Sequence, residues 1–358
     1  MFLRCIFLFL LVTQLFSKGK VLYIYSWYDY IPPALIKKFE AETGIKVYID
    51  YFDSSAMLES QWLAKSSGYD LVVPGAYPYA KRHIENGLYQ KIEVQKIPNY
   101  HYIEPEILKN LKEADPEESY LIPYIWGIVG LGVNREILDK VLPDFKGNPA
   151  DLIFNLDYVQ KLSPYGIYLI DEPLELFASI LSYLGYSPSS ENDQEITKAF
   201  HHLRKISRYV RKFDMYRGIS DFSNHEVAII QTYNMHVANS KRNQLDKKKA
   251  APLEFLIPEN GVSFWVDCFA IPVEARHIEE AHAFLNFILN PENAAEVTKA
   301  TDQAVANKGI FDYLPDDLKN NTLIFPDLKD LKVYVTTSKS REHERYLSRL
   351  MLKLKTGY

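Results

Sequence analysis

Apolar positions along this chain alternate between a strand period and a helix period. Val21–Tyr25 is a β-branched and aromatic run. Pro32 and Pro33 then open a stretch in which Leu35, Ile36 and Phe39 recur at helical spacing, and Gly44 closes it. Ile45–Phe52 alternates as a strand, Ser54 caps a helix carrying Met57, Leu58 and Trp62, and Tyr69–Pro74 is again an apolar strand. This β-α-β-α-β order predicts a mostly parallel sheet with right-handed crossovers. Ile122–Asn134 is apolar and contains Gly127, Gly130 and Gly132, the mark of a strand long enough to leave one lobe and enter another. A second series follows: strands at Gly166–Ile170, Val227–Thr232 and Glu254–Ile257, helices at Pro173–Tyr183 and Glu195–Arg211. Ser263–Pro272 is a second long extended run suited to a return crossing, and helices are expected at Ile278–Leu289, Asn293–Ala300 and Arg341–Lys355.

These elements predict an α/β fold of two lobes, each a mostly parallel sheet flanked by helices, with a ligand cleft between them. The expected division is 18–130 with 266–311 for the first lobe and 131–265 with 312–358 for the second. A length of 358 residues supports it, being more than one hydrophobic core usually serves. Residues 1–17 stand apart: Arg4 precedes the apolar run Ile6–Val12, and Ser17 ends it before Lys18 and Lys20. That is the pattern of a secretory leader, with a run too short to span a bilayer. Its removal takes Cys5 and leaves Cys268, which reads as a packed thiol in an apolar strand.

The net charge is -5, and losing Arg4 makes it one unit more negative, against the basic stripe that nucleic acid requires. Lys247–Lys249 reads as a solvated loop. His201, His202, His225 and His236 lack zinc-ligand spacing, so no metal or other cofactor is expected. Phosphate-loop, nucleophile-elbow and zinc-protease motifs are missing too, which argues against an enzyme.

The candidate chemistry lies at strand ends. Tyr25-Ser26-Trp27-Tyr28-Asp29-Tyr30 and Phe264-Trp265-Val266-Asp267 each set aromatic rings beside a carboxylate. A ring face attracts a cation through its quadrupole, and a carboxylate fixes the charged end, so the pair fits a clamp for an organic cation. Tyr77, Glu172, Glu175 and Tyr233 fall at further strand ends, where open α/β sheets bind ligands. Each has a purely structural alternative. Trp27 and Trp265 also suit a core, as do Trp62 and Trp126; Asp29 suits a cap for the helix near Pro32. Glu172 and Glu175 resemble the acidic half of a capping box at Pro173.

Several blocks in the same order resemble the spermidine/putrescine-binding proteins of bacterial ABC importers. They are Leu22–Trp27 with Tyr30-Ile31-Pro32-Pro33, Thr43–Val47, Tyr69–Pro74, Ile122–Gly127, and Phe264–Asp267 with Ala270-Ile271-Pro272. The resemblance implies a periplasmic receptor that captures a polyamine and delivers it to an inner-membrane ABC permease. It assigns Trp27, Tyr30, Tyr77 and Trp265 to aromatic walls, and Asp267, Glu175 and Glu172 to ammonium binding. Tyr233 stands where spermidine binders have Trp, Gly75 replaces a hydroxyl residue, and Gln303 falls about where the family has Tyr. Another small solute in the same fold, an exported glycan hydrolase and a non-transporting sensor are the alternatives.

Overall fold

The computed structural model describes residues 19–63, 68–244, 252–338 and 340–357. The leader at 1–17, the Lys247–Lys249 run and the Trp62 side chain lie outside the described residues. The first sheet has the expected parallel strands in the order Lys46–Phe52, Val21–Trp27, Leu71–Val72. Helix Pro33–Thr43 begins with Pro at its first turn. It ends at Gly44, whose φ of +68° lets its N–H return to the Glu40 carbonyl. Leu35 and Phe39 pack beneath it with Leu22, Ile24 and Phe284.

The second sheet is organised by Ile122–Asn134, a fully buried strand of 13 residues, about 40 Å at ordinary strand rise. Its first half pairs with Val262–Phe269 and Ala304–Val305, its second half with Ile229–Tyr233 and Leu253–Leu256. All four pairings are antiparallel, so this sheet is mixed rather than mostly parallel. A strand that crosses out and a strand that crosses back must run in opposite senses. Parallel pairing persists farther out, between Ile167–Leu169 and its neighbours Ile229–Tyr233 and Lys212–Phe213.

One hydrophobic core gathers Leu22, Ile24, Phe39, Ile125, Phe269, Phe284 and Val297. A second gathers Leu131, Val133, Leu169, Phe177, Ile180, Ile229 and Leu350. Trp265 packs against both. The C-terminal helix Arg341–Thr356 buries Leu347, Leu350, Met351 and Leu354 in the second core. Before reaching it, the chain passes Ile324 and Leu328, which pack with Tyr25, Phe52 and Trp126. The expected run Ser263–Pro272 divides: Val262–Phe269 stays on the long strand, while Ile271–Pro272 pairs with Tyr89–Gln90. Helix Met215–Ser223, which hydrophobic spacing did not reveal, is capped by Asp214 accepting from the Arg217 N–H.

Candidate functional site

Asp267 sits where the register of the return strand shifts, between Asp267 and Cys268, and where an isolated bridge joins it to Gly75. Trp265 and Asp267, two apart, fall on one strand face. Asp267 is buried, and the Tyr30 hydroxyl donates to its Oδ2 at 2.5 Å. Burial raises its carboxyl to about 7, with the Tyr30 hydrogen bond opposing. A Cβ on residue 75 would lie 3.3 Å from Asp267 Oδ1, so Gly75 keeps the space beside this carboxylate open. Tyr30 is set by the turn after Val21–Trp27, where the Tyr124 hydroxyl donates to the Tyr30 carbonyl at 2.7 Å.

Glu172 and Glu175 begin helix Pro173–Tyr183, but neither side chain caps it. Glu175 is buried instead, and its Oε1 accepts from the Thr336 hydroxyl at 2.7 Å. The Ser263 hydroxyl also favours the charged form but makes no hydrogen bond of proper geometry, so Oε2 has no hydrogen-bond partner among the described residues. Burial raises this carboxyl to about 7; Thr336 and Ser263 oppose the rise, and the charge of Glu172 adds to it. Glu172 is exposed, though neighbouring protein partly desolvates its carboxyl. That desolvation, then the charge of Asp171, raises its carboxyl, and Lys355 opposes. Asp171 itself accepts from the Met215 N–H at 3.2 Å.

Aromatic rings lie between these acids. Tyr233, at the end of Ile229–Tyr233, stands edge-on to Trp265 with centroids 5.4 Å apart. Trp27 lies 4.5 Å from the Phe52 ring and 6.2 Å from Tyr30. Burial raises the Tyr233 hydroxyl well above its ordinary value, followed by the charges of Glu175, Glu172 and Asp267. The charges of those three carboxylates therefore all act on one hydroxyl. The indole of Trp265 lies over Gly127, its register partner, where a Cβ would stand 2.7 Å from Cζ2.

The Tyr77 hydroxyl donates to the Asn110 carbonyl at 2.8 Å and accepts from the Ala114 N–H at 3.1 Å. Asp29 is exposed, adopts φ +60°, and makes no helix cap. Trp126 and Cys268 are buried, as a core reading requires.

Three residues were missed. Thr336 holds Glu175. Tyr216 is exposed, yet partial desolvation of its hydroxyl by neighbouring protein, then the charges of Glu172, Asp171 and Asp53, raise that group. His236 packs edge-on to Tyr233 at 5.7 Å, shares a 2.8 Å contact with the Thr232 hydroxyl, and is pushed by burial down to about 4. Its place three residues after Tyr233, on the first turn of a helix, was the available signal. Among the described residues no group of three or more His, Cys, Asp or Glu side chains is arranged to hold a metal ion, and no helix is long and apolar enough to cross a membrane.

Two α/β lobes around a site of rings and buried acids define a solute-binding protein. The chain belongs to the bacterial extracellular solute-binding protein family, whose model matches residues 34–326. It is 34% identical to the putrescine-binding periplasmic protein SpuD of Pseudomonas aeruginosa, over 95% of this chain and 93% of that protein. It is 32% identical to the putrescine-binding periplasmic protein PotF of Escherichia coli, over 97% and 94%. A putative spermidine/putrescine ABC transporter structure from Listeria monocytogenes superposes with a TM-score of 0.81 at 28% identity, covering 95% of this chain and 100% of that one. The spermidine/putrescine substrate-binding protein PotD of Streptococcus pneumoniae gives 0.79 at 26%, covering 94% and 99%.

Proposed function

We propose that this protein captures a linear polyamine, putrescine or spermidine, in its interlobe cleft and delivers it to an ABC permease from the periplasmic side of the membrane. One observation carries the reading. Asp267 and Glu175 are both buried, and neither has a basic partner among the described residues. A buried carboxylate is stable as an anion only when a cation meets it. The relatives named for putrescine and spermidine binding support the same ligand class.

On this reading Asp267, oriented by Tyr30, takes one ammonium. Glu175 and Glu172 take amino groups farther along the chain, and Trp27, Trp265 and Tyr233 line the methylenes. Charge-assisted hydrogen bonds contribute about 1.5–3 kcal/mol each, and cation–π contact roughly 0.5–2 kcal/mol per ring. The lobes divide at 18–130 with 266–311 and 131–265 with 312–358. The protein acts by binding rather than by catalysis. Calorimetric titration of the purified chain with diamines, triamines, amino acids and neutral sugars tests the proposal. Amine binding alone is expected, and tight sugar binding without an amine response would reject it.

A further inference from the structure

A second set of contacts joins the lobes. Glu59 lies on helix Ser55–Leu63 and Arg82 on helix Lys81–Glu85. Both helices are anchored on the Tyr25–Phe52–Val72 side of the molecule, through Leu58, Ala80 and Ile84. Arg341 and Glu344 occupy the first turn of Arg341–Thr356, whose apolar face is buried in the other core. Arg82 Nε donates to Glu59 Oε1 at 2.8 Å, and Arg82 Nη1 donates to Glu344 Oε1 at 2.5 Å. Arg341 Nη2 returns to Glu59 Oε1 at 3.2 Å. Thus each lobe contributes one acid and one base, and two ion pairs cross between them.

The position and shielding of this set distinguish it from ordinary surface pairs. Side-chain exposure is 15% for Arg82, 15% for Glu59 and 20% for Glu344, so water screens the Arg82 contacts poorly, while Arg341 is 41% exposed and its pair with Glu59 is the more screened of the two crossings. The Arg82 guanidinium also lies 5.3 Å over the Tyr79 ring. Burial raises the Tyr79 hydroxyl, and the first charge acting on it is that of Glu172, ahead of Glu344 and Glu59. Glu172 of the candidate site and the bridge acids thus act on the same hydroxyl. Glu59 is held at about 2: burial opposes ionisation, but hydrogen bonds from His83 and Arg82 and the charges of Arg82 and Arg341 prevail. When the lobes part, Glu59 keeps Arg82, and Arg341 and Glu344 remain on one exposed helix turn. Opening strands no lone buried charge, so the contact can release and re-form.

We propose that Glu59, Arg82, Arg341 and Glu344 form a reversible interlobe clasp that sets ligand residence time by stabilising the closed state. They are positioning residues whose effect runs through closure. The inference rests on the cleft-binding reading for its kinetic consequence, but not for the clasp itself. A contact made only in the closed state stabilises the closed, ligand-bound protein, so ligand that has entered the open cleft is released more slowly and apparent affinity rises.

The test uses Arg341→Gln with Glu344→Gln in the full chain, which leaves the Glu59–Arg82 pair intact. Spin labels at Glu42→Cys and Lys205→Cys, exposed positions of opposite lobes, report the interlobe distance without ligand. The double variant should shift that distribution to longer distances and release putrescine roughly tenfold faster. Its association rate and melting temperature should change little. Glu344→Gln alone should move the same way by less, and Glu344→Lys, facing Arg82, by more. Wild-type distances and release rate in the double variant would overturn the clasp. So would a lowered melting temperature with the wild-type distance distribution, which would make the pairs structural. If the wild-type chain binds no amine in calorimetry, the ligand reading fails, and the ligand-free distances still decide the clasp.

Discussion

Asp267 and Glu175 are each raised to about 7 by burial, and two opposite pH dependences follow. Both groups lie above the values of carboxyls in an unfolded chain. Their contribution to stability is therefore complete below the ordinary carboxylate range and is lost as pH rises through about 7. The ligand-free protein should melt higher at pH ~5.5 than at pH ~8 on account of these groups, and Asp267→Asn with Glu175→Gln should flatten that slope in thermal scans. Ligand binding runs the other way: an ammonium requires the ionised acids, so calorimetric affinity for putrescine should rise over the same interval. Tyr30→Phe removes the hydrogen bond that holds the Asp267 carboxyl down. The variant should bind more weakly at neutral pH and recover part of the loss at higher pH; a pH-independent loss would make Tyr30 a packing residue only. Asp267→Asn should cost more affinity than Tyr233→Phe, because the first deletes a charge facing the ligand and the second one hydroxyl.

At the scale of elements, the return strand and the long strand build the site together. Trp265 can lie flat only because its register partner is Gly127. Gly127→Ala should displace the indole at a cost of about 1–3 kcal/mol and weaken polyamine binding. Trp265→Ala should cost roughly 2–4 kcal/mol of binding through lost apolar contact and cation–π attraction. Near-wild-type affinity in both variants, read by titration, would remove this strand face from the site. Helix Pro173–Tyr183 presents Glu175 inward to Thr336 rather than using it as a cap. Glu175→Gln should therefore change the ratio of spermidine to putrescine affinity. An equal small effect on both ligands would return Glu175 to a structural role.

Across the whole molecule, the candidate site draws on both cores: Trp27 and Tyr30 come from one side, Glu172, Glu175 and Tyr233 from the other. A ligand held by both favours the closed arrangement by its differential affinity for it. Small-angle scattering should give a smaller radius of gyration with putrescine than without. In the clasp variant the difference should widen, because its ligand-free state opens further. An unchanged radius in both proteins would show that ligand binding and lobe closure are separate events.

The sequence by itself determined the elements and the class. Apolar periodicity placed Pro33–Thr43, Ile122–Asn134 and Pro173–Tyr183, because burial of a face is encoded locally in spacing. Ring-plus-acid strand ends marked Tyr30, Trp265 and Asp267, because those side-chain types carry their chemistry wherever they lie. What only the tertiary structure decided was pairing. Asp267 meets Tyr30 across 237 residues, and Glu175 meets Thr336 across 161. The antiparallel crossing strands, the inward turn of Glu175 and the bonding of the Tyr77 hydroxyl to Asn110 and Ala114 have the same origin. Local sequence sets which groups seek a partner, whereas the partner and the burial that shifts a carboxyl come from segments distant in the chain that packing brings together.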